Sequence, residues 1–192
     1  MASRTLSKKK ISVGGHLTLS DIVLFLEGNV SIEIDAKALK KISVSKKYLD
    51  TISLKEIIYG VNTGFGPLAR TYIHPSKQCD LQYNLVRSHA VGQGAPLDQR
   101  FVRVMMLLRL HTLAQGFSGV SMDVLYGLKN FIEKGIVPVV FEHGSRTVSG
   151  SVLDTVTGQT AYALSCTNNS SLTAVAASAR QIVNVVTSFQ EF

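Results

Sequence analysis

The 192-residue chain has no tryptophan, two cysteines and only 17% charged residues. Each shortage excludes something. Cys79 and Cys166 stand in no spacing that holds a metal or makes a redox pair, which points to reduced thiols and a cytoplasmic setting. His16, His74, His89, His111 and His143 include no pair at metal-ligand spacing, so no metal is expected. No apolar run approaches the roughly 18 residues of a membrane span. The basic start MASRTLSKKK leads into no secretory apolar core. Internal repeats and low-complexity segments are also lacking. What remains is a globular composition, 45% apolar and long enough for one real core.

The net charge is +7, and the excess is local: Lys8, Lys9, Lys10, Lys37, Lys40, Lys41, Lys46 and Lys47 all lie in the first quarter. A basic patch can serve nucleic acid. No aromatic residues interleave with these lysines to stack bases, so a solvated helix face is expected, with no nucleic-acid partner and no membrane.

Pattern reading gives a mainly α chain. Residues 10 to 18 read as short and extended. Thr18 or Ser20 can cap a helix through Leu26, with Gly28 just past its end. Val30 to Ile34 alternates as a brief strand. Asp35 can cap a helix with Leu39, Ile42 and Leu49 inward and the lysines outward. Gln78 to Val91 reads as helical, with Leu81, Leu85 and Val86 inward. Pro96 and Asp98 open the next helix, which runs to about Gln115 with Val102, Met105, Met106, Arg109 and Leu113 as one stripe. His111 on that helix reads as a satisfied core histidine. Ser121 caps a helix to Lys134 whose apolar face is Val124, Leu125, Leu128, Phe131 and Ile132. A loop over 59–77 is long for a compact domain and favours function over connection, and residues 135–158 form a second long loop. In the last segment Leu172, Val175, Ala179, Ile182, Val186 and Phe189 recur at alternating spacings of three and four. That is a heptad seam, and it needs a partner helix.

The chemistry-bearing stretch is Ile58 to Ala69, IYGVNTGFGPLA, with Gly60, Gly64 and Gly66 around Tyr59. Tyrosine is a weak base at its ordinary pKa near 10, and becomes a useful one only where donors or positive charge stabilise its anion. A glycine-rich loop can bring N–H donors to such a hydroxyl in a site closed to water, and lets a ligand approach the backbone. The same residues also fit a surface turn around a buried tyrosine. Composition does not choose between the two. No nucleophile elbow, P-loop or dinucleotide fingerprint is present.

Tyr59-Gly60-Val61-Asn62-Thr63-Gly64-Phe65-Gly66 closely resembles the signature loop of the aromatic amino acid ammonia-lyases and aminomutases. The likeness continues through Leu81 to His89, through Arg103 to Gly119 and into Gly135 to Val140. It implies the N-terminal portion of a helical lyase fold over 1–157, with long active-site loops, and a bundle-type helix in 158–192, all within one domain. It also implies elimination of ammonia from an aromatic L-amino acid to give an arylacrylate. Tyr59 would be the catalytic base. The electrophile, methylidene-imidazolone (MIO), forms in the family from an internal Ala-Ser-Gly. The matching residues here are Val148, Ser149 and Gly150. Gly60, Gly66 and His89 would line the substrate, and a Ser-His pair at 88–89 resembles histidine and some tyrosine lyases, so phenylalanine is the least expected substrate. Ala161 to Ala176 resembles the family segment that carries an amine-binding Asn, which puts Thr167 or Asn168 at that place.

Two departures stand out. Val148 replaces the alanine whose carbonyl is attacked, and a β-branched side chain stiffens and crowds that centre. Family members also run to several hundred residues. Two readings follow: a histidine or tyrosine ammonia-lyase that is active if MIO forms, or a catalytically inactive truncated homologue. The second would act as a binding or oligomerisation subunit, through a homo-oligomer or partner helices at residues 172–189.

Overall fold

A computed structural model of the chain describes residues 9–28, 30–89 and 93–143, and for 82, 83, 85–89 and 93 the backbone alone. The heptad seam, the final helix and the Val148-Ser149-Gly150 triplet lie outside the described residues.

The chain opens with a β-α-β unit. Strand β1 (Lys9–Val13) and strand β2 (Val30–Ile34) pair in parallel, with Ile11 beside Ile32 and Val13 beside Ile34. Parallel neighbours need a crossover, and helix α1 (Leu19–Glu27) supplies it. Thr18 begins α1 with a full capping box: its hydroxyl accepts from the Asp21 N–H, and the Asp21 carboxylate accepts from the Thr18 N–H and hydroxyl. Those bonds hold the Asp21 carboxyl below its ordinary value. Helix α2 (Ala36–Ile52) follows, with the Asp35 carboxylate accepting from the Lys37 and Ala38 N–H groups.

A long irregular segment then carries one 3-10 turn, Gly66–Leu68, and leads into α3 (Pro75–His89). Strand β3 (Gln93–Pro96), helix α4 (Gln99–Ala114), helix α5 (Met122–Glu133) and strand β4 (Phe141–His143) complete the described order. Asp98 caps α4 and Ser121 caps α5. Among the described residues, five helices and short strands make the fold mainly α.

The core is built around α4, which packs against α1, α2, α5 and β1. Val102, Met106, Leu107, Leu110, Leu113 and Ala114 of α4 are buried against Ile11, Val13, Phe25, Ile32 and Ile42, and against Leu125, Leu128 and Ile132 of α5. The Arg103 guanidinium lies 4.8 Å from the centre of the Phe25 ring and ties α4 to α1. The Glu133 carboxylate accepts from the Ile32 N–H at 3.2 Å and from Lys129 at 2.7 Å, which docks α5 on β2.

Four details differ from the pattern reading. Helix α3 starts at Pro75, not Gln78, because a proline in the first turn loses no helix bond. The buried face of α4 is turned toward Leu107, Leu110 and Ala114, with Met105 and Arg109 only half-buried. The helix has neighbours on several sides, so no single stripe describes it. Leu39 and Leu49 of α2 are half-buried, and Ala38 joins Ile42 as its inward face. The region 135–158 is not all loop: Phe141–His143 pairs antiparallel with Gln93–Pro96.

Candidate active site

The segment from Ser53 to His74 is folded by its own polar groups. Its most buried positions are Asn62 and Thr63, 1% and 0% exposed, followed by Gly64. The Asn62 side chain is fully used. Its Oδ1 accepts from the Ile58 N–H at 2.7 Å, and its Nδ2 donates to the Ser53 and Glu56 carbonyls, both at 2.8 Å. A buried amide left without partners costs stability, and here every partner is a backbone group that would otherwise be orphaned. Asn62 therefore joins the end of α2 to the start of the Tyr59 turn.

The far limb of the loop is laced back onto this centre. The Ile73 N–H donates to the Asn62 carbonyl at 2.8 Å, the Gly64 N–H donates to the Thr71 carbonyl at 3.2 Å, and Thr63 bridges Tyr72. Thr63 Oγ1 accepts from the Gly60 N–H at 3.1 Å and donates to the Gly64 carbonyl at 2.9 Å. Gly64 has to be glycine for space, since a Cβ there would stand 2.5 Å from Leu68 Cβ and 3.1 Å from the Leu68 carbonyl oxygen.

On this frame Tyr59 sits with its ring edge-on to Phe65, centroids 5.7 Å apart and planes at 76°, a favoured aromatic arrangement. The described structure thus brings Tyr59, Gly60 and Gly66 into one loop around Phe65. Gly60 and Gly66 take the positive φ values of 75° and 56° that shape its two bends. Two points differ from a closed donor pocket. The Gly60 and Gly64 amides are used within the loop, and Tyr59 is 51% exposed. The physical reason is that Asn62 and Thr63 fill the loop interior, which turns the tyrosine outward. Leu54, Ile57, Leu68 and Tyr72 are exposed around the same loop.

His89 is the last residue of α3, and its backbone alone is described. Val148, Ser149, Gly150 and Asn168 lie outside the described residues. Sequence reasoning missed the roles of Asn62, Thr63 and Phe65. The usable signal was an asparagine four residues after Ile58, in reach of its own loop's backbone. Among the described residues no group of three or more His, Cys, Asp or Glu could hold a metal, and no helix is long and apolar enough to cross a membrane.

A family model for aromatic amino acid lyases matches residues 17–184. The chain belongs to the aromatic amino acid lyase family. Its similarity to histidine ammonia-lyase of Streptococcus gordonii is 40% identity over 140 residues, 72% of this chain and 27% of that protein. The Streptococcus sanguinis histidine ammonia-lyase matches at 39% over the same shares. Among solved structures, tyrosine aminomutase of Streptomyces globisporus superposes with a TM-score of 0.65 at 33% identity, covering 71% of this chain and 26% of that one. Histidine ammonia-lyase of Trypanosoma cruzi superposes with a TM-score of 0.64 at 31% identity, covering 71% and 27%. The fold described above is therefore part of the ammonia-lyase fold, and the chain spans about a quarter of the length of these lyase-family relatives.

Proposed function

We propose that this chain carries the base-bearing part of an ammonia-lyase site, with histidine as the first candidate substrate and tyrosine as the second. The single observation that carries this reading is the Tyr59 loop: a signature sequence whose buried Asn62 and Thr63 lock the backbone while Tyr59, steadied by Phe65, is left accessible. In this reading Tyr59 removes the β-proton of the amino acid. Gly60 and Gly66 leave room for the substrate beside the backbone, and His89 and Asn168 contact the ring and the amine. The identity to histidine ammonia-lyases supports the order of substrates.

The implied MIO group is tested by the chemistry of the residues at its place. Ser149 supplies the hydroxyl that dehydration removes and Gly150 the attacking amide, so two of the three requirements fit. Val148 does not match the alanine at the attacked carbonyl, and its branched Cβ resists the compressed loop that cyclisation needs. When formed, MIO supplies the electrophile that makes the amine a better leaving group.

A specific observation favours a second reading. The Tyr59 loop exposes Leu54, Ile57, Leu68 and Tyr72. In that reading it is a binding or oligomerisation subunit, pairing as a homo-oligomer or with another chain through residues 172–189. Mass spectrometry of the purified protein separates the two. Loss of two waters supports the lyase reading, and arylacrylate absorbance with L-histidine or L-tyrosine then names the substrate. Tyr59→Phe is expected to abolish that turnover. An unmodified mass excludes self-formed MIO chemistry and leaves the subunit reading, which a concentration-dependent oligomer supports and a strict monomer sinks.

A further inference from the structure

A contact far from the Tyr59 loop joins the first strand to the central helix. The Gly14 N–H, at the end of β1, donates to His111 Nδ1 of α4 at 3.3 Å, across 97 residues of sequence. Gly14 is held closely there. With φ at +88°, a Cβ on it would stand 2.5 Å from Ala38 Cβ and 3.0 Å from Ala114 Cβ, both fully buried side chains. The turn after β1 is thus wedged between α2 and α4, and His111 is the group that anchors its backbone.

The bond assigns the imidazole's state. An Nδ1 that accepts a backbone N–H bears a lone pair, so the ring is neutral with its proton on Nε2. The Nε2–H then faces the Gln115 side-chain amide at 3.2 Å, which must turn its oxygen toward the ring. A second proton on Nδ1 would place N–H against N–H and remove the acceptor.

We propose that His111 is an acid-sensitive latch: neutral, it holds the β1–α1 turn on α4, and protonation at Nδ1 releases Gly14 and loosens the β-α-β unit from the central helix. The surroundings support this. Burial pushes the His111 imidazole below its ordinary value, and His16 of the same turn opposes a charge on it. The charged groups on the elements packed around it are cations or carboxylates already bonded elsewhere, Asp35 at the start of α2 among them, which accepts from the Lys37 and Ala38 N–H groups. Asp21 of α1 is engaged by Thr18. Lys41 of α2 lies against Gly116, past the end of α4, and α4 itself adds Arg103 and Arg109. Glu133 of α5 is taken by Ile32 and Lys129. The sign follows from linkage. A histidine whose folded-state pKa is depressed binds more protons when unfolded. The stability the neutral latch contributes is therefore fully present above the ordinary value of 6.5 and is lost as pH falls below it toward the folded-state value, while the bond itself opens through the folded-state midpoint.

The test is NMR on the full chain between about pH 5 and 8, following the His111 ring and the exchange protection of the Gly14 amide, each corrected for intrinsic exchange. The expected result is a His111 midpoint below the ordinary histidine value and a fall in Gly14 protection of roughly fivefold or more through that midpoint, the worth of one hydrogen bond. His111→Asn puts a non-titrating oxygen near the Nδ1 position and is expected to keep the protection and lose the pH step. Gly14 protection that stays flat while His111 titrates would overturn the latch, as would an unchanged step in His111→Asn. If that variant fails to fold, the native titration decides alone.

Discussion

The α4 scaffold and the Tyr59 loop are held by opposite means. Around α4 the inner residues are Leu107, Leu110, Leu113, Leu125 and their apolar neighbours. In the loop the inner residues are Asn62 and Thr63, while Leu54, Ile57, Tyr59, Leu68 and Tyr72 face outward. The scaffold is stable because it removes apolar area from water. The loop is shaped because each buried polar atom of Asn62 has a backbone partner. A segment with an inside-out composition gains little from burial on its own, and its apolar side chains stay on the outside.

Substitutions can break that contrast, from the largest effect to the smallest. Leu110→Ala leaves a hole at the centre of the scaffold and is expected to cost about 2–5 kcal/mol in denaturant unfolding. Asn62→Ala strands the Ile58 N–H and the Ser53 and Glu56 carbonyls. A cost of about 2–3 kcal/mol is expected, appearing as lost exchange protection in the loop. Equal losses in loop and scaffold would show that the two regions are one cooperative unit. Arg103→Met removes the cation over Phe25 but keeps an apolar stem, and is expected to cost about 0.5–1 kcal/mol in the same unfolding assay. Lys46→Met breaks the ion pair with Asp50 on the outer face of α2, and about 0.3–0.5 kcal/mol is the expected change. A larger effect there would mean that the α2 surface contributes more than a solvated face does.

The two regions also differ in how far they were legible. The caps at Asp35 and Ser121 could be read directly, and those at Thr18 and Asp98 to within a pair of candidates, because a capping side chain bonds backbone only two or three residues away. The strand at Val30–Ile34 showed its alternation. Its parallel pairing with β1 did not show, nor did the pairing of Gln93–Pro96 with Phe141–His143, because register between distant segments is set by tertiary packing and a Gly-Ala-Pro run carries no strand signal. The buried face of α4 was misread by part of a turn because RVMMLLRLHTLA is apolar nearly all round. In the loop, the signature marked Tyr59, Gly60 and Gly66, and the family assignment stands on the match over residues 17–184. What periodicity could not give was the inside of the loop. Asn62 has no apolar pattern to betray it, and its three bonds go to groups fixed only once the chain has turned.

The contrast can be tested most directly by hydrogen exchange on the Asn62→Ala protein. The amides of Ile58, Gly64 and Ile73 are expected to lose protection, while those of Leu107 to Leu113 in α4 keep theirs. A parallel loss in α4, or a loop whose protection survives without the Asn62 side chain, would contradict a loop held by polar bonds on an independently packed scaffold.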